Sequence, residues 1–302
     1  MAQPFLHDLV TCLRAPTVVL SDRDGQVRAD GAQGLLHGDT RFLSELVVTV
    51  EGQEPSPIGF QLRGGARGRF VGAVADVGDP IPDPTVRVER ERHVVVGGLR
   101  ETVAVVNGSR RRVAVRLAVR AGADMAAVAD VKCGHPTVGL PPRPGDVIRW
   151  SAGTGATELR AVSEVPDGGA PDVELAEGHV TLTWQLDVPA DSRAVVALDV
   201  RAVDARPSAG FLPAPSPTWT AELAVTSYHP HLAPLVRRSL VDLDALLLVD
   251  PAGPADVFVA AGSPWYLTLF GRDSIWTARF ALPLTTELAG GTLRVLARRQ
   301  AR

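Results

Sequence analysis

The run Arg112-Val113-Ala114-Val115-Arg116-Leu117-Ala118-Val119-Arg120 decides the fold class of this 302-residue chain. Its arginines recur at every fourth position and share one face, whereas the valines and Leu117 share the other. Successive side chains of a β-strand point to opposite faces of the sheet, so the run predicts a strand with one solvated and one buried face. That arrangement is typical of an antiparallel β-sandwich.

Similar short alternating runs, rich in valine and separated by Gly, Pro, Asp and Asn, extend from about residue 17 to residue 203. They predict at least seven strands. The predicted strands are Thr17–Ser21, Leu43–Val50, Val86–Val96, Arg100–Asn107, Arg111–Ala121, Val180–Val188 and Ser192–Arg201. The Pro- and Gly-rich stretch Gly134–Gly155 is predicted to be a long surface loop, and the acids Asp172, Glu174 and Glu177 a solvated loop.

The stretch Ala205–Pro217 is the strongest linker candidate, and the hydrophobic period becomes helical after it. We predict helices over Leu232–Leu248, Asp273–Phe280 and Thr292–Arg299, the last entered through Gly290-Gly291. The expected fold class is mainly β, with a sandwich domain over residues 1–215 and a helical domain beginning over residues 216–302. Since the helical pattern runs to Arg302 without a C-cap, we expect the chain to be the N-terminal part of a longer protein.

Composition excludes several classes of function. The formal net charge of -3, with arginines interleaved among acids, argues against nucleic-acid binding. The chain has neither a signal peptide nor a run of 18 apolar residues, so we expect a cytoplasmic protein that does not contact the membrane. Cys12 and Cys133 are expected to be reduced thiols, and no metal or cofactor is expected, because His229-Pro230-His231 is the nearest approach to ligand spacing. The sequence has no phosphate-binding loop of the Walker type and no nucleophile elbow.

The segment Ala260–Ser274 carries the candidate site, because it places aromatic residues, an arginine and an aspartate on one short turn of an aromatic-poor chain. Aromatic rings match the apolar faces of a pyranose, and a guanidinium beside a carboxylate can hold neighbouring hydroxyls. This pattern predicts a sugar-binding site. Its candidate substrate-binding residues are Trp265, Tyr266, Arg272 and Asp273.

Structural alternatives exist for these residues. Arg272 and Asp273 could form a structural ion pair, or Asp273 could be the N-cap of the next helix. Asp273 is a poor candidate for a general acid, because a neighbouring arginine lowers the pKa of a carboxyl group. The aromatic residues could be ordinary core side chains. For Asp39, Thr40 and Arg41 we favour a buried Asp–Arg pair that locks two strands over a contact with ligand.

Two motifs in this order resemble the amylo-α-1,6-glucosidase, or glycogen-debranching-enzyme-like, family. The first motif is Gly34–Ser44, which contains Asp39-Thr40-Arg41-Phe42-Leu43-Ser44. The second is Ser263–Ala278, which contains Pro264-Trp265-Tyr266 and Phe270-Gly271-Arg272-Asp273-Ser274. The run Ala121–Val131 is similar to a third family segment but lacks its two phenylalanines. The resemblance implies an N-terminal β-sandwich followed by an (α/α)6 six-hairpin glycosidase barrel, of which this chain would hold only the first helices.

The resemblance further implies hydrolysis, with inversion, of α-1,6-linked glucosyl branches in glycogen or a related α-glucan, with Arg272 and Asp273 binding glucose hydroxyls. The catalytic residues stay unknown, because the general acid and base of such barrels lie in later loops, beyond residue 302. We therefore expect no turnover by this chain alone. Two alternatives remain open. One is a stand-alone carbohydrate-binding sandwich, and the other is a docking or dimerisation protein in which an oligomer or a separate barrel covers the C-terminal helices.

Overall fold

The structure is a computed structural model, and it describes residues 5–163, 169–204, 210–215 and 225–300. The strands are β1 Val10–Arg14, β2 Thr17–Ser21, β3 Gly34–His37, β4 Thr40–Leu43, β5 Glu45–Val50, β6 Ser56–Leu62, β7 Arg67–Val74, β8 Val86–Val95, β9 Gly98–Asn107, β10 Val113–Gly122, β11 Ala126–Ala127, β12 Ile148–Ala152, β13 Gly155–Ser163, β14 Asp172–Ala176, β15 His179–Val188, β16 Ser192–Asp204, β17 Leu212–Pro213, β18 Leu247–Asp250 and β19 Gly253–Val259. The helices are α1 Val128–Cys133, α2 Leu232–Ala245, α3 Gly271–Phe280 and α4 Glu287–Arg299.

The alternating arginine run forms β10, an inner strand of a four-stranded antiparallel sheet in the order β14-β15-β10-β5. Val113, Val115, Leu117 and Val119 are buried, and the arginines of the strand are exposed. In the pairing with β15, Leu117 lies opposite the buried Trp184. The predicted strand and the assignment of its two faces are confirmed.

This sheet packs against a seven-stranded antiparallel sheet in the order β12-β13-β16-β9-β8-β7-β6. One apolar core joins the two sheets, and alternating valines and leucines of β8, β9, β15 and β16 contribute to it together with residues of β5 and β10. Because each strand buries alternate side chains, the outer face of each sheet keeps its charged residues. The mainly β class and the N-terminal antiparallel sandwich are therefore confirmed.

The sandwich core also contains a group of fully buried charges. Glu101 of β9 accepts hydrogen bonds from Arg90 Nε at 2.8 Å and from Arg92 Nε at 2.9 Å, both on the neighbouring β8. Burial opposes the charge of Glu101, but the two guanidinium groups outweigh it and lower the pKa of its carboxyl group. Arg92 also donates to the carbonyl of Gly25 at 2.7 Å, which ties the turn after β2 to the large sheet. Pairing is what allows such charges to remain inside a core.

A third, five-stranded sheet has the order β1-β2-β3-β4-β11. Val18, Leu20 and Leu36 are buried in a small apolar cluster of this sheet. Cys12 of β1 lies in the main core, where burial raises the pKa of its thiol to about 11. Both cysteines are free thiols, as predicted.

Helices α3 and α4 pack on a small sheet in the order β17-β18-β19. Arg299 of α4 forks onto the fully buried Asp250, with Nη2 to Oδ1 at 2.7 Å and Nε to Oδ2 at 3.0 Å. These hydrogen bonds lower the pKa of Asp250 to about 2. Arg294 and Arg298 bind Asp256 of β19, each at 2.6 Å. Four charged contacts thus hold one face of α4 to the β18–β19 hairpin.

The C-terminal elements also contact the N-terminal strands. Arg14 Nη1 of β1 donates to Asp244 Oδ2 of α2 at 2.7 Å, and the Ala15 amide donates to the Ala245 carbonyl at 2.8 Å. Arg238 of α2 donates to the Leu62 carbonyl at the end of β6 at 3.0 Å. The division of the chain at residue 215 remains a prediction.

Several boundaries differ from the predictions. The predicted helix over 232–248 ends at Ala245, and the Leu246-Leu247-Leu248-Val249 run turns into β18, since a short apolar run fits a buried strand as well as a helix. The predicted loop over 134–155 contains β12, and the predicted acidic loop is the exposed edge strand β14. Within the predicted linker, Leu212–Pro213 pairs with β18, whereas residues 205–209, 216 and 217 lie outside the described residues.

The prediction that Gly290-Gly291 opens the last helix is wrong, because α4 already begins at Glu287. Gly291 is a close-approach residue, since a Cβ built there would lie 2.5 Å from the Val257 carbonyl oxygen on β19. At Gly290 the added carbon would meet only the flexible guanidinium of Arg294, at 3.1 Å.

Neighbouring alanine substitutions should therefore have opposite effects on the free energy of unfolding. Gly291→Ala forces α4 away from β19 and should destabilise the protein by about 1–3 kcal/mol. Gly290→Ala gains helix propensity and should change stability by about 0 to +1 kcal/mol. Chemical denaturation of both variants beside the wild type measures the difference. Equal destabilisation by the two substitutions would show that α4 does not approach β19 as described.

Candidate functional site

The segment between β19 and α3 forms a closed loop that backbone hydrogen bonds hold together. Gly262 and Tyr266 exchange both of their amide hydrogen bonds, at 3.0 and 3.1 Å, and the Ala261 amide donates to the Thr268 carbonyl at 3.0 Å. The Ser263–Pro264 peptide bond is cis. At the end of the loop, Ser274 Oγ donates to the Val259 carbonyl at 2.8 Å and fixes the start of α3 on β19.

Trp265 anchors this loop to the five-stranded sheet. Its half-buried ring packs, with Leu267, into the cluster around Val18, Leu20 and Leu36. The indole Nε1 is buried and has no hydrogen-bond partner among the described residues. Of the four predicted site residues, Trp265 is thus the one most involved in packing, and its role as a sugar-stacking wall remains a prediction.

Tyr266 lies on the outer side of the loop and is 47% exposed. Lys132 of α1 donates to its hydroxyl at 3.1 Å and sits 4.5 Å from the centre of its ring. Phe270 meets the same ring edge to face, with the ring centres 5.3 Å apart. The loop therefore presents an aromatic pair beside a cation from the N-terminal part of the chain. Sequence reasoning missed Lys132, and the only signal for it was its place directly after the Ala121–Val131 run.

Arg272 and Asp273 occupy the first turn of α3. The N-cap is Phe270, so Asp273 is not the cap, but a carboxylate in the first turn of a helix still interacts favourably with the helix dipole. Arg272 Nε lies 3.6 Å from Asp273 Oδ2, and the Arg272 side chain is 80% exposed. The structure leaves this guanidinium accessible to solvent and adjacent to a carboxylate, which is the arrangement that binding of paired hydroxyls requires.

The first motif forms the β3–β4 hairpin, which contacts the segment that contains Asp124 and β11. Arg41 is buried and ion-paired, as predicted, but its partner is Asp124 rather than Asp39, which lies exposed in the hairpin turn. The side chains of Arg41 and Asp124 are 4% and 2% exposed, and Nη2 lies 2.5 Å from Oδ2. Arg41 also donates to the carbonyls of Gly31 and Gln33 and to Thr137 Oγ1. The pair thus joins the first motif to the run that begins at Ala121.

His37, in the same hairpin, belongs to a short polar relay. The Gly97 amide donates to Thr17 Oγ1 at 2.7 Å, and Thr17 Oγ1 lies 2.8 Å from His37 Nδ1. Because Thr17 Oγ1 already accepts a hydrogen bond, its own hydrogen is free to point to an unprotonated Nδ1. Burial lowers the pKa of His37 below its ordinary value of 6.5, although Asp204 acts in the opposite direction. These hydrogen bonds and the lowered pKa are therefore consistent with a neutral His37 imidazole.

Two features are absent from the described ranges, 5–163, 169–204, 210–215 and 225–300. No group of three or more His, Cys, Asp or Glu side chains within those ranges is placed to hold a metal ion. The helices of the same ranges include none with the length and apolar character that crossing a membrane requires.

Comparison with known proteins assigns the family. Residues 13–199 match the family model of the N-terminal domain of (some) glycogen debranching enzymes. The chain belongs to this family. The match covers more than half of the chain, including the first motif, Asp124 and both facing sheets of the sandwich except for the last residues of β16, Val200 to Asp204.

Solved structures show what this debranching-enzyme N-terminal domain resembles in fold. A bacterial glucoamylase complexed with acarbose aligns with 99% of this chain at 10% identity and a TM-score of 0.50, and this chain covers 52% of its length. A protein described as a kojibiose phosphorylase from human microbiome aligns with 66% of the chain, and a galactose mutarotase related enzyme from Lactobacillus acidophilus also with 66%, at TM-scores of 0.38 and 0.39 and identities of 10% and 8%. The chain spans about a quarter of that phosphorylase, at 26%, and 98% of the mutarotase-related enzyme. No curated protein sequence matches the chain.

Neutralising Asp124 should destabilise the debranching-enzyme N-terminal domain strongly. Asp124→Asn leaves the buried Arg41 guanidinium uncompensated, which should cost about 3–5 kcal/mol in the free energy of unfolding. The matched control is Asp187→Asn, which breaks the exposed pair with Arg112 and should change stability by less than about 0.5 kcal/mol. Urea denaturation of both variants tests this. A loss of similar size in the two would contradict the structural role of Arg41–Asp124.

His37 should make stability fall in mild acid. Since folding lowers the pKa of His37, protonation favours the unfolded chain, and the contribution of this residue is complete above about pH 6.5 and lost as the pH falls toward the lowered folded value. The loss of thermal stability between pH 7.5 and pH 5 should therefore be smaller in His37→Gln than in the wild type. The exposed His229→Gln is the control and should retain the wild-type difference.

Proposed function

We propose that this chain is the N-terminal portion of a glycogen-debranching-type glycoside hydrolase that acts on α-1,6-glucosyl branches of glycogen or a related α-glucan. The family match over residues 13–199 is the observation that carries the proposal. In it, residues 216–302 begin an (α/α)6 six-hairpin domain, which the fold-level alignment of the bacterial glucoamylase with 99% of the chain supports. The proposal keeps the cytoplasmic location that the sequence predicts.

The loop and first turn over 262–273 would contact the sugar. The exposed Tyr266 ring, backed by Phe270, offers an apolar surface for a pyranose face. Arg272 and Asp273 would bind neighbouring hydroxyls as donor and acceptor. Trp265 would act mainly by holding the loop against the sandwich. In this proposal the glucan lies at the junction between the sandwich and the helical part of the chain.

Catalysis would need carboxylates that the described residues do not offer in a suitable state. A general acid needs a raised pKa, yet the described buried carboxylates are each paired with arginine, namely Glu101, Asp124, Asp250 and Asp256. The pKa values of Glu101 and Asp250 are lowered, which keeps both groups ionised. The proposal therefore places the general acid and base beyond residue 302, and residues 1–302 would bind but not hydrolyse glucan.

A second candidate, docking or dimerisation without catalysis, has its own supporting observation. Helices α3 and α4 expose large apolar side chains, among them Ile275, Trp276, Phe280 and Leu293. Exposed apolar groups on neighbouring helices suit a protein partner or a further packing layer. A stand-alone carbohydrate-binding module is the remaining alternative, and the experiment below separates it from the proposal.

Binding of a branched maltooligosaccharide with one α-1,6-glucosyl stub, followed by calorimetry, tests the proposal. Tyr266→Ala and Arg272→Ala should each weaken binding about threefold to tenfold, because each removes one ring face or one hydroxyl ligand. Tyr266→Phe keeps the ring and should stay close to the wild type. Tyr228→Ala removes a fully exposed tyrosine before α2 and is the matched control.

Glucose release by the same purified chain should be undetectable. Release of glucose would overturn the proposed absence of the catalytic pair. Glucan binding that is insensitive to Tyr266 and Arg272 but survives removal of residues 216–302 would support the stand-alone module instead. Absence of binding, together with dimers that dissociate in Trp276→Ser, would favour docking.

A further inference from the structure

A groove of about 300 Å³ opens over β7, β8 and β9, on the outer face of the seven-stranded sheet. Its ionisable lining side chains from that face are Arg63, Arg67, Arg69, Glu91, His93 and Arg100. The debranching-type function proposed above makes no use of this groove, and no residue of 262–273 lines it.

The sheet register brings three of these side chains into one row. Arg67 of β7 pairs with His93 of β8, and His93 pairs in turn with Arg100 of β9. Directly opposed residues on one face of an antiparallel sheet lie about 5 Å apart at Cβ, so His93 has an arginine on each neighbouring strand. Burial and the nearby charge of Arg67 lower the pKa of His93, which agrees with this proximity.

The positive charges of the groove are only partly neutralised. Arg69 binds Glu89 at 2.7 Å, Arg63 lies 3.7 Å from Glu91, and Arg100 lies 3.8 Å from Asp199. Each of these arginines thus has a carboxylate within reach.

Arg67 differs from its neighbours, because it forms no ion pair with any residue that the structure describes. The charge of the groove therefore has a positive excess centred on the Arg67–His93 row. A guanidinium that is accessible in a concave site and lacks a carboxylate is available to a ligand anion.

We propose that this groove binds a small ligand through a phosphoryl group, with Arg67 as the principal ligand residue and His93 and Arg100 beside it. Guanidinium groups bind phosphate oxygens through two parallel hydrogen bonds, and a phosphate dianion matches more than one cation at once. The volume is at the lower end of the range for small-molecule sites, about 300–1,000 Å³, which fits a phosphate group with at most a sugar-sized body. Free phosphate and a phosphate ester of a sugar share this chemistry.

Titration calorimetry of the full chain at low ionic strength, with inorganic phosphate and with glucose 6-phosphate as probes, tests the assignment. Arg67→Gln should weaken the binding of both probes at least tenfold, and Arg67→Lys, which keeps the charge but loses the fork, should weaken it less. The control is Arg116→Gln, which removes an equal charge from the outer face of the opposite sheet and should alter binding less than twofold. Any binding of unphosphorylated glucose should be the same in the wild type and in Arg67→Gln.

The outcomes are distinct. Similar affinity for the two probes identifies the anion alone as the ligand, and tighter binding of glucose 6-phosphate identifies a phosphate ester. Equal weakening in Arg67→Gln and Arg116→Gln, or no binding of either probe by the wild type at millimolar concentration, would overturn the proposal. Because Arg67 is exposed, an unchanged melting temperature of Arg67→Gln verifies that the variant is folded. A loss of glucan binding in Tyr266→Ala would not change the binding of phosphate in this groove. The two proposals can therefore be overturned independently.

Discussion

A guanidinium that is almost fully removed from water must find a carboxylate and several carbonyls in fixed places, and Arg41 imposes that requirement on this protein. It binds Asp124, the carbonyls of Gly31 and Gln33, and Thr137. Satisfying all of them fixes β4 against β11 and sets the position from which α1 starts. Lys132, near the end of α1, is thereby held beside Tyr266. The candidate sugar-binding loop thus depends, through one short helix, on a charge pair inside the sandwich region.

The C-terminal part of the chain relies on the same kind of interaction in a second place. Asp250 and Asp256 are buried on the β18–β19 hairpin, and three arginines of α4 bind them. Leu288 and Val295 of α4 are buried in the apolar clusters of the hairpin, and Gly291 allows the close approach of the helix to β19. Leu293, on another face of the helix, remains exposed. Charge pairing holds the helix in place while its outer surface stays available for further packing.

The sequence predicted those parts of the molecule whose side chains alternate strictly. The two faces of β10 were recovered, because burial on one side of a sheet imposes a period of two. The strand Thr17–Ser21 is buried on both faces, and it was recovered as a short β-branched and apolar run before a turn. The edge strands β6 and β14 are exposed along nearly their whole length, so neither has a dry face that a pattern could mark. The loop with Trp265 and Tyr266 was recognised from its residue types. Lys132 and Asp124 were not recognised, because their partners Tyr266 and Arg41 lie 134 and 83 residues away in the sequence. A local sequence pattern carries no information about contacts over such separations.

The contact between β1 and α2 can form only late in translation. Arg14 and Asp244 are 230 residues apart, so the end of β1 emerges from the ribosome long before the residues that complete its environment. The two facing sheets, built from residues between 45 and 204, contain their own core and can close in the meantime. Domains generally fold as units in the direction of translation. The nascent chain would therefore already contain the folded sandwich, with one side of it still exposed. Helix α2 and the β18–β19 hairpin would pack against that side last.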